Sequence, residues 1–386
     1  MQAPRLLQVT TLSITLKSFL LPFGRWFRKK GWQVDAVAQG ASSCVVCQET
    51  FDHVFDISWT RNPLDLRGIF HAVMQLRAVV KQEKYDLIHV HTPVAAFVTR
   101  YALRKMRKTY DFKVIYTVHG FHFHKGGSRY RNGLFLFLEK IAGRWVDYLI
   151  VINKEDYQSA LHFNIVQRRK VCYMPGIGVD TEKFSCDSIT ALSVSAVRKE
   201  LSLSYDEEFF LMVAEFNPGK CHRETIQALL RLDRPNVHLA LAGTGPLLEQ
   251  MKRLVRYLGV ANQVHFLGFR EDIPELMCSA VATILPSRRE GLPRSLLESL
   301  SMGTPCIGTC IRGIEDILEE GAGLLVPVGD VFALSNAMSY ILDNPEETKV
   351  MGRVGRKQAQ TDYDIRNIIR LHEKLYRKAL HGKDEI

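Results

Sequence analysis

The sequence predicts an α/β protein built from two doubly wound domains, each with a parallel sheet between helices. Short apolar strands alternate with amphipathic helices, and this alternation runs twice along the 386-residue chain. A chain of this length is also too long for one ordinary core and fits two domains of normal size. Parallel sheets of this kind bind ligands at the carboxyl ends of their strands, so we expect the site in a cleft between the domains.

The first domain is predicted over residues 1–185. Its strands are predicted at Leu6–Val9, Val34–Ala38, Leu87–His91, Lys113–His119, Tyr148–Ile152 and Val171–Met174. Its helices are predicted near residues 15–30, 64–81, 94–108, 133–146 and 154–162.

The second domain is predicted over residues 186–360, after a connection through Pro175–Asp180 and a Ser-rich stretch that reaches to about residue 205. Its strands are predicted at Phe209–Ala214, His238–Ala242, Val264–Leu267, Ala282–Leu285, Thr304–Ile307 and Gly323–Val326. Its helices are predicted near residues 221–232, 246–258, 273–278, 293–302 and 331–342. The tail, residues 361–386, is predicted to form an amphipathic helix that packs back on the N-terminal domain.

The charge is unevenly distributed between the two halves. Residues 1–185 hold 27 Lys and Arg against 14 Asp and Glu, whereas the remainder holds 24 against 27. The N-terminal half therefore favours an anionic partner: nucleic acid, a membrane surface or a phosphorylated substrate. No apolar run approaches the roughly 20 residues that span a bilayer, and no signal peptide is evident. We expect a cytoplasmic protein that acts at a membrane only peripherally.

The eight cysteines have no framework spacing, which indicates reduced thiols. Cys44 and Cys47 form a CxxC without a second pair, so a zinc site is disfavoured. The pattern of His119, His122 and His124 after a strand has no local carboxylate or thiolate. Hydrogen-bonded histidines explain His122 and His124 better than a metal does, and we expect no metal.

The segment Ser287–Glu298 is the most informative stretch for function. It places Glu290 in a turn that Gly291 permits and Glu298 in the following helix, where Pro293 fits the first position. Two carboxylates in this setting indicate a polyol ligand, and the amides of the helix start attract an anion. A nucleotide sugar requires both kinds of group close together: carboxylates that bind its hydroxyls and amides that bind its phosphates. A surface Glu followed by a helix-capping Glu is the alternative explanation.

Three other loops that follow strands carry candidate ligand-binding residues. A lysine beside a helix start meets a diphosphate as a point charge, and glycines in a turn allow a close approach of the backbone. A backbone segment beside an arginine can pair with a nucleobase edge. These candidates are Glu215, Asn217 and Lys220 in the first loop, Gly243 and Gly245 in the second, and Phe269 and Arg270 in the third.

Two sets of motifs follow one another in order along the chain. They are Asp86–Pro93 and Thr117–Phe123 in the first half, and Glu290–Glu298, Gly303–Pro305, Gly313, Gly323–Pro327 and Asp330 in the second. The second set resembles the donor domain of the retaining family 4 glycosyltransferases, which have the two-domain GT-B fold. The first set resembles the bacterial branch of that family, which builds capsule, exopolysaccharide and related lipid-linked saccharides.

The resemblance implies roles for individual residues. Glu290 is expected to bind hydroxyls of the donor sugar, Glu298 the ribose, and Lys220 the diphosphate, together with the amides around Leu292–Arg294. His119 is expected to face the transferred sugar near the reacting centre. The implied catalytic set is therefore His119, Lys220 and Glu290, and no metal is implied.

The chain departs from the family pattern in two places. Many members have Arg where Glu215 stands, so one diphosphate-binding cation is missing, and Arg288 or Arg294 is a candidate substitute. Many also have a Gly-Gly loop after the first strand, whereas this chain has Thr10–Thr15, which favours hydroxyl contacts from Thr11.

Basic and aromatic residues of the first half suggest an acceptor at a membrane surface. The segment Lys17–Trp32 mixes the residue types of an interfacial helix, and Arg100–Lys108 is a second basic helix. The alternative is that the aromatics are core and the cations a solvated face. The candidate acceptor or membrane residues are Lys17, Arg25, Trp26, Arg28, Lys29, Lys30, Arg104, Lys105, Arg107, Lys108, Lys125 and Arg129.

The resulting hypothesis is a retaining hexosyl or N-acetylhexosaminyl transfer from a UDP-sugar to an undecaprenyl-diphosphate-linked saccharide. The enzyme is expected at the inner face of the cytoplasmic membrane, against anionic lipid. A GT-B sugar-nucleotide epimerase with the same donor pocket is the first alternative. A basic nucleic-acid or membrane-binding module is the second, but no nucleic-acid recognition motif is present.

Overall fold

The computed structural model describes residues 3–59, 65–124 and 126–382, apart from the side chain of Leu66. It divides into two compact units. Unit 1 comprises Met1–Ile177 together with Ile368–Ile386, and unit 2 comprises Gly178–Asn367. The chain therefore changes unit between Ile177 and Gly178, whereas the sequence predicted a boundary at residue 185.

Unit 1 contains a seven-stranded sheet among its described residues, and every neighbouring pair is parallel. The order across the sheet is β3-β2-β1-β4-β5-β6-β7. The strands are β1 (Arg5–Leu12), β2 (Gln33–Gln39), β3 (Val54–Phe55), β4 (Leu87–Val90), β5 (Lys113–Val118), β6 (Tyr148–Val151) and β7 (Val171–Tyr173).

The helices of unit 1 lie on both faces of this sheet. They are α1 (Ser13–Thr15), α2 (Leu21–Lys29), α3 (Val45–Thr50), α4 (Leu66–Glu83), α5 (Pro93–Leu103), α6 (Arg129–Gly143) and α7 (Lys154–His162), and a π-helix at Leu16–Leu20 joins α1 to α2. The connection from β1 to β2 crosses the sheet in one direction, and those from β4 to β5 and from β5 to β6 cross it in the other. Since such crossovers are right-handed, α2 lies on one face and α5 and α6 on the opposite face.

Unit 2 contains a six-stranded parallel sheet in the order β10-β9-β8-β11-β12-β13. Its strands are β8 (Glu208–Val213), β9 (Val237–Ala242), β10 (Val264–Gly268), β11 (Ala282–Leu285), β12 (Cys306–Thr309) and β13 (Gly323–Val326). Its helices are α8 (Ala191–Glu200), α9 (His222–Leu232), α10 (Leu248–Tyr257), α11 (Ile273–Ser279), α12 (Arg294–Met302), α13 (Ile314–Leu318), α14 (Val331–Asp343) and α15 (Pro345–Asp362), and α16 (Ile365–His381) follows.

The two parallel-sheet units confirm the predicted fold class. Each unit has its own apolar core. Five of these helices and strands were not predicted: the short α3, β3 and α13, α8 within the Ser-rich stretch, and α15. Thr190 caps α8 by accepting a hydrogen bond from the Ser193 amide, so this polar stretch begins with a capped helix.

Helix α15 escaped prediction because of its glycines. A Cβ on Gly352 would lie 2.1 Å from the Gly303 carbonyl oxygen, and one on Gly355 would lie 3.0 Å from Leu300 Cγ. The two glycines therefore allow α15 to pack closely against α12. In the sequence the same glycines weaken the apolar helical pattern that predicts an amphipathic helix.

The sequence also gave no indication of a disulfide. Cys186 and Cys278 form one across 92 residues, with their Cα atoms 5.7 Å apart. The expectation that all cysteines are reduced is therefore wrong for this pair. Their wide separation is not a framework spacing, so the pattern of cysteines could not indicate their proximity.

Helix α16 packs against α2 in unit 1. The Phe23 ring lies 4.9 Å from the His372 ring, and the Phe27 ring 5.0 Å from the Tyr376 ring. Trp26 Nε1 donates to a Glu373 carboxylate at 2.9 Å. The interpretation of Lys17–Trp32 as a membrane-facing helix is wrong for Phe23 and Phe27, because these buried rings form the contact with α16.

A buried polar chain also fixes α16 to the sheet. Tyr376 Oη lies 2.5 Å from His89 Nδ1 and within 3.5 Å of Gln8 Nε2. The oxygen of the Gln8 side-chain amide lies 3.0 Å from His91 Nε2, and His91 Nδ1 lies 3.2 Å from His119 Nε2. Four elements, β1, β4, α16 and the loop after β5, thus share one hydrogen-bonded chain.

The first testable prediction concerns the packing of α15. Replacing Gly352 by Ala should destabilise the protein by about 1–3 kcal/mol, because the added methyl group meets a backbone oxygen that cannot move aside. Gly133→Ala is the matched control, since a Cβ on that helical glycine would have nothing within 4 Å and the variant should become more stable by about 0.5–1 kcal/mol. Urea unfolding of the full chain measures both, and equal midpoints for the two variants would contradict the packing argument.

The second prediction concerns pH. Burial is the main cause that lowers the pKa of His119 and of His372 to about 4, and burial with neighbouring histidines lowers the pKa of His89 and His91 well below the usual value. The unfolded chain takes up protons near pH 6.5, so it binds more protons than the folded chain between about pH 6.5 and 4. The free energy of unfolding should therefore fall as pH drops through this window.

Urea midpoints at about pH 7.5 and 5.5 test this expectation. His372→Gln, which removes one titrating ring from the cluster, should reduce the difference between the two midpoints. Equal midpoints of the wild-type protein at both pH values would show that these rings do not remain neutral in the folded state.

Candidate active site

Unit 2 brings together a lysine and a glutamate at the ends of two adjacent strands. Lys220 ends the loop after β8, and Glu290 lies in the loop after β11, which pairs with β8. Lys220 Nζ donates to Glu290 Oε1 at 2.5 Å, and both side chains are largely buried. The sequence predicted both residues as ligands of one donor, and the structure places them in direct contact.

Hydrogen bonds hold the two loops in place. The Arg288 amide donates to the Gly219 carbonyl at 2.8 Å and joins the Lys220 loop to the Glu290 loop. Arg312 Nε donates to the Glu290 carbonyl at 3.2 Å. Arg312 is buried and was not among the predicted site residues, because its position in the sequence carries no signal of this contact.

Glycines allow the same loops to touch through their backbones. Gly313 has φ +77°, and a Cβ there would lie 2.0 Å from the Gly291 oxygen. A Cβ on Gly243 would lie 2.0 Å from the Ala214 oxygen, and one on Gly245 would lie 2.7 Å from backbone atoms of Phe216. The sequence predicted that Gly243 and Gly245 let the backbone approach a ligand, and the structure shows that both approach the loop after β8.

The helix after Glu290 begins one residue later than predicted. Pro293 is the N-cap of α12, and Arg294 is its first residue. The first amides of such a helix have no acceptor within the helix, so Leu292–Arg294 lies where an anion is favoured. Arg294 Nε pairs with Glu298 Oε1 at 2.7 Å, and burial raises the pKa of Glu298, which is 8% exposed.

The two candidate substitutes for the missing family arginine both form ion pairs. Arg288 pairs with Glu224 at 2.7 Å, and Arg294 pairs with Glu298. Glu215, which occupies the family position, is exposed and accepts a hydrogen bond from the Asn217 side chain at 2.9 Å. Lys220, in contrast, donates to the Glu290 carboxylate.

Arg270 has carboxylate partners within unit 2. Its guanidinium pairs with Glu200 and Asp272, each at 2.5 Å, and these carboxylates raise the pKa of Arg270 above its usual value. The adjacent Phe269 is 76% exposed. The segment that was predicted to pair with a nucleobase therefore has an exposed phenylalanine ring and an arginine that is paired with two carboxylates. Its pairing with a base stays a prediction.

Two threonines of unit 1 lie near the ends of the adjacent strands β1 and β4. The Thr11 and Thr92 hydroxyls lie 2.7 Å apart, and the Thr11 amide donates to Thr92 Oγ1 at 3.2 Å. Thr92 has φ +61°, which is strained for a β-branched residue. Sequence reasoning did not select Thr92 as a site residue, although its position directly after β4 was a usable signal.

The contacts of His119 define which of its nitrogens carries the proton. The oxygen of the Gln8 side-chain amide can only accept a hydrogen bond, so His91 donates from Nε2. Because the His91 ring is neutral, it accepts at Nδ1. His119 then donates from Nε2 to His91. The remaining nitrogen, His119 Nδ1, is therefore an unprotonated acceptor.

The described residues contain one group with metal-ligand atoms close together: Asp35, His53 and Glu83. Asp35 accepts hydrogen bonds from the Tyr85 hydroxyl at 2.7 Å and from the His53 amide at 3.1 Å. Glu83 pairs with Arg5. The oxygens of this group therefore already have protein partners. His122 packs its ring against Phe135.

The predicted acceptor or membrane residues come from several elements of unit 1, and their joint role stays a prediction. The cations of α2 lie on the opposite face of the sheet from α5. Arg104 stacks over Tyr101 at 3.6 Å, and Arg107 pairs with Asp147 at 2.5 Å. The remaining members are exposed or half-buried, except Lys125, which lies outside the described residues: Lys17, Arg25, Arg28, Lys29, Lys30, Lys105, Lys108 and Arg129. None of the described helices is long and apolar enough to cross a membrane.

Two family models match the chain. The model described as Glycosyltransferase Family 4 matches residues 19–183, and the model described as Glycosyl transferases group 1 matches residues 194–358. Together they cover most of both units.

Named proteins and solved structures agree with these matches. EpsD of Bacillus subtilis, whose name assigns it to the glycosyltransferases, is 32% identical over 94% of each chain. An Escherichia coli enzyme named UDP-Gal:alpha-D-GlcNAc-diphosphoundecaprenol alpha-1,3-galactosyltransferase is 26% identical over 76% of each. HepE of Anabaena, solved with UDP, superimposes with a TM-score of 0.80 at 19% identity, covering 98% of this chain and all of that one.

The fold of HepE and the identity with EpsD over nearly the whole length agree with the motifs found in the sequence. The chain belongs to the family 4 glycosyltransferases of the exopolysaccharide and lipid-linked saccharide type, with the GT-B fold.

Proposed function

We propose that this glycosyltransferase moves a hexose or N-acetylhexosamine from a UDP-sugar to a lipid-diphosphate-linked saccharide, with retention of anomeric configuration and without a metal. The observation that carries the donor assignment is the buried contact between Lys220 and Glu290 beside the start of α12. It joins a cation for phosphate to a carboxylate for sugar hydroxyls.

Lys220 is suited to stabilise the leaving diphosphate. Its ammonium has three N–H donors, and the bond to Glu290 uses one of them, so further donors can bind phosphate oxygens. Charge grows on these oxygens as the bond to the sugar breaks, and a fixed cation then stabilises the transition state more than the ground state. The first amides of α12 add a second positive field.

His119 takes a different role in this mechanism. A pKa of about 4 keeps its imidazole neutral near pH 7, so it binds the transferred sugar through hydrogen bonds and does not act as a cationic acid. We assign Glu298 to the ribose. Rate enhancement then rests on positioning and on the diphosphate-binding groups, without a covalent intermediate.

The names and ligands of similar proteins support the substrate classes. HepE was solved with UDP and also with UDP-glucose, which favours a UDP-sugar donor here. The Escherichia coli relative is named for a diphosphoundecaprenol-linked acceptor, which favours an undecaprenyl-diphosphate saccharide. An acceptor of this kind places the enzyme at the inner face of the cytoplasmic membrane.

Product analysis tests the whole proposal. The protein is incubated with a panel of UDP-sugars and undecaprenyl-diphosphate saccharides, and mass spectrometry identifies any extended lipid. We expect UDP release that depends on the added acceptor and a product with the donor's anomeric configuration. Epimerised UDP-sugar without acceptor-dependent release would instead support the epimerase.

The third prediction concerns Lys220. Replacing it by Ala should lower kcat by about 10²–10³, because the contact that strengthens as the leaving group gains charge is removed. Lys252→Ala is the matched control, since Lys252 forms a comparable pair with Glu249 at 2.8 Å on an exposed helix and should keep wild-type turnover. Steady-state kinetics measure both variants, and turnover of Lys220→Ala within threefold of wild type would disprove this role.

The fourth prediction concerns Glu290. The Glu290→Gln variant keeps the shape of the side chain but loses its charge, so the ion pair with Lys220 and the binding of sugar hydroxyls both weaken. We expect a lower kcat/KM and relaxed discrimination between donor sugars. Glu249→Gln serves as control on the exposed helix. Unchanged donor preference and rate in Glu290→Gln would rule out the assignment.

A further inference from the structure

Helix α6 of unit 1 exposes a stripe of large apolar side chains. Tyr130 is 93% exposed, Leu134 57% and Phe137 60%. Their spacing of four and three residues places them on one face of the helix, within about one sixth of a turn of each other. Contiguous exposed apolar residues of this size mark an interaction surface.

The opposite face of α6 is fixed to the rest of unit 1. Glu139 pairs with the buried Arg100 at 3.1 Å and accepts from the Tyr116 hydroxyl at 3.2 Å. Phe135 packs against the apolar core of the unit. The helix therefore presents the stripe of Tyr130, Leu134 and Phe137 outward.

A basic cavity adjoins the C-terminal end of this helix. Its volume is about 640 Å³, and it is lined by Lys140 of α6, by Arg144 directly after that helix, by Lys170 and by the segment 163–167. The lining residues include three cations and no carboxylate among the part of the chain that the structure describes. Arg168 and Arg169, beside Lys170, are exposed. The site therefore favours an anion.

We infer that the outer face of α6, with the basic cavity beside it, docks on an anionic phospholipid bilayer. Tyrosine and apolar side chains are suited to the boundary between headgroups and acyl chains, and lysine and arginine at its edge bind lipid phosphates. This combination is the amphipathic pattern that was expected of Lys17–Trp32, where the aromatics instead pack against α16. The inference deepens the proposed function, because it names the surface that faces the lipid-linked acceptor.

Lipid suits this surface better than nucleic acid does. Single-stranded nucleic acid binds in a basic groove with aromatic rings on which bases stack, whereas Leu134 lies between the two rings of the stripe and offers no ring for stacking. A bilayer accepts all three side chains together. The cavity then receives a phosphate headgroup.

Vesicle flotation of the full chain tests this inference. We compare vesicles of phosphatidylcholine alone with vesicles that contain phosphatidylglycerol, at low salt. Wild-type protein should float with the anionic vesicles. Two variants of the surface, Tyr130→Ser/Leu134→Ser/Phe137→Ser and Lys140→Glu/Arg144→Glu, should each bind at least about tenfold less.

Matched controls in unit 2 distinguish binding through this surface from non-specific hydrophobic or electrostatic binding to vesicles. Leu192, Tyr205 and Tyr257 are 83%, 100% and 88% exposed, and their replacement by Ser should leave flotation unchanged. Arg253→Glu/Arg256→Glu makes the same charge change on an exposed helix of unit 2. Equal loss of flotation in these controls, or flotation of both α6 variants like wild type, would overturn the inference.

Two further measurements distinguish the possible failures. Transfer to a short-chain, water-soluble acceptor should remain in the α6 variants, because the donor site lies in unit 2. Wild-type protein that floats with anionic vesicles but transfers no sugar to any acceptor would argue against the proposed function and not against the surface. Binding of wild-type protein to single-stranded RNA with no binding to anionic vesicles would assign the surface to nucleic acid and refute the lipid assignment.

Discussion

The candidate active site depends on backbone contacts that only glycine permits. Gly313 touches Gly291, and Gly243 and Gly245 touch the loop after β8, in each case at distances that leave no room for a Cβ. The glycine contacts join the loop after β8 to the loop after β9, and the loop after β11 to the loop after β12. The hydrogen bond from the Arg288 amide to the Gly219 carbonyl joins the two pairs, so the four loops form one rim at the edge where a parallel sheet places them. The positions of Lys220 and Glu290 follow from this rim.

The charges on this rim are arranged in pairs. Lys220 has Glu290, Arg294 has Glu298, and Arg288 has Glu224. An unpaired charge in such a partly buried place costs free energy, so each pair keeps its members in position before a ligand arrives. A nucleotide sugar brings both phosphate charge and hydroxyls. It can therefore share each cation and each carboxylate with the existing partner, and the groups that bind it need little rearrangement.

Much of the fold could be predicted because buried parallel strands are short apolar runs. The predicted Ala282–Leu285 and Gly323–Val326 match β11 and β13. Packing between segments that are distant in sequence limited the rest. From sequence alone, Gly352 weakens the predicted helix, and only the structure shows that it packs against Gly303. From sequence alone, Phe27 resembles a membrane-facing residue, and only the structure shows that its ring packs against Tyr376. Arg270 was selected for its place after β10, but Glu200, 70 residues away in sequence, is its partner.

The site residues also divide into those with a local sequence signal and those that depend on contacts between distant segments. Lys220 and Glu290 could be found because strand-end loops have recognisable turn residues. The carbonyl contact of Arg312 has no such signal, and the place of Thr92 after a strand does not reveal its strained φ. Gln8 belongs with the latter. A glutamine in the middle of a buried strand is a cost unless it is hydrogen-bonded, and here its carbonyl accepts from His91 and its amide reaches Tyr376.

The C-terminal helix connects these observations within unit 1. By supplying Tyr376 and His372 it covers the aromatics of α2 and completes the hydrogen-bonded chain that ends at His119. One face of the sheet thus holds a neutral histidine at the strand ends, and the Phe23 and Phe27 rings of α2 are covered. The opposite face carries α6, whose apolar stripe is exposed. A single return of the chain therefore connects the neutral state of His119 with the proposed lipid contact, which falls to the face that carries α6.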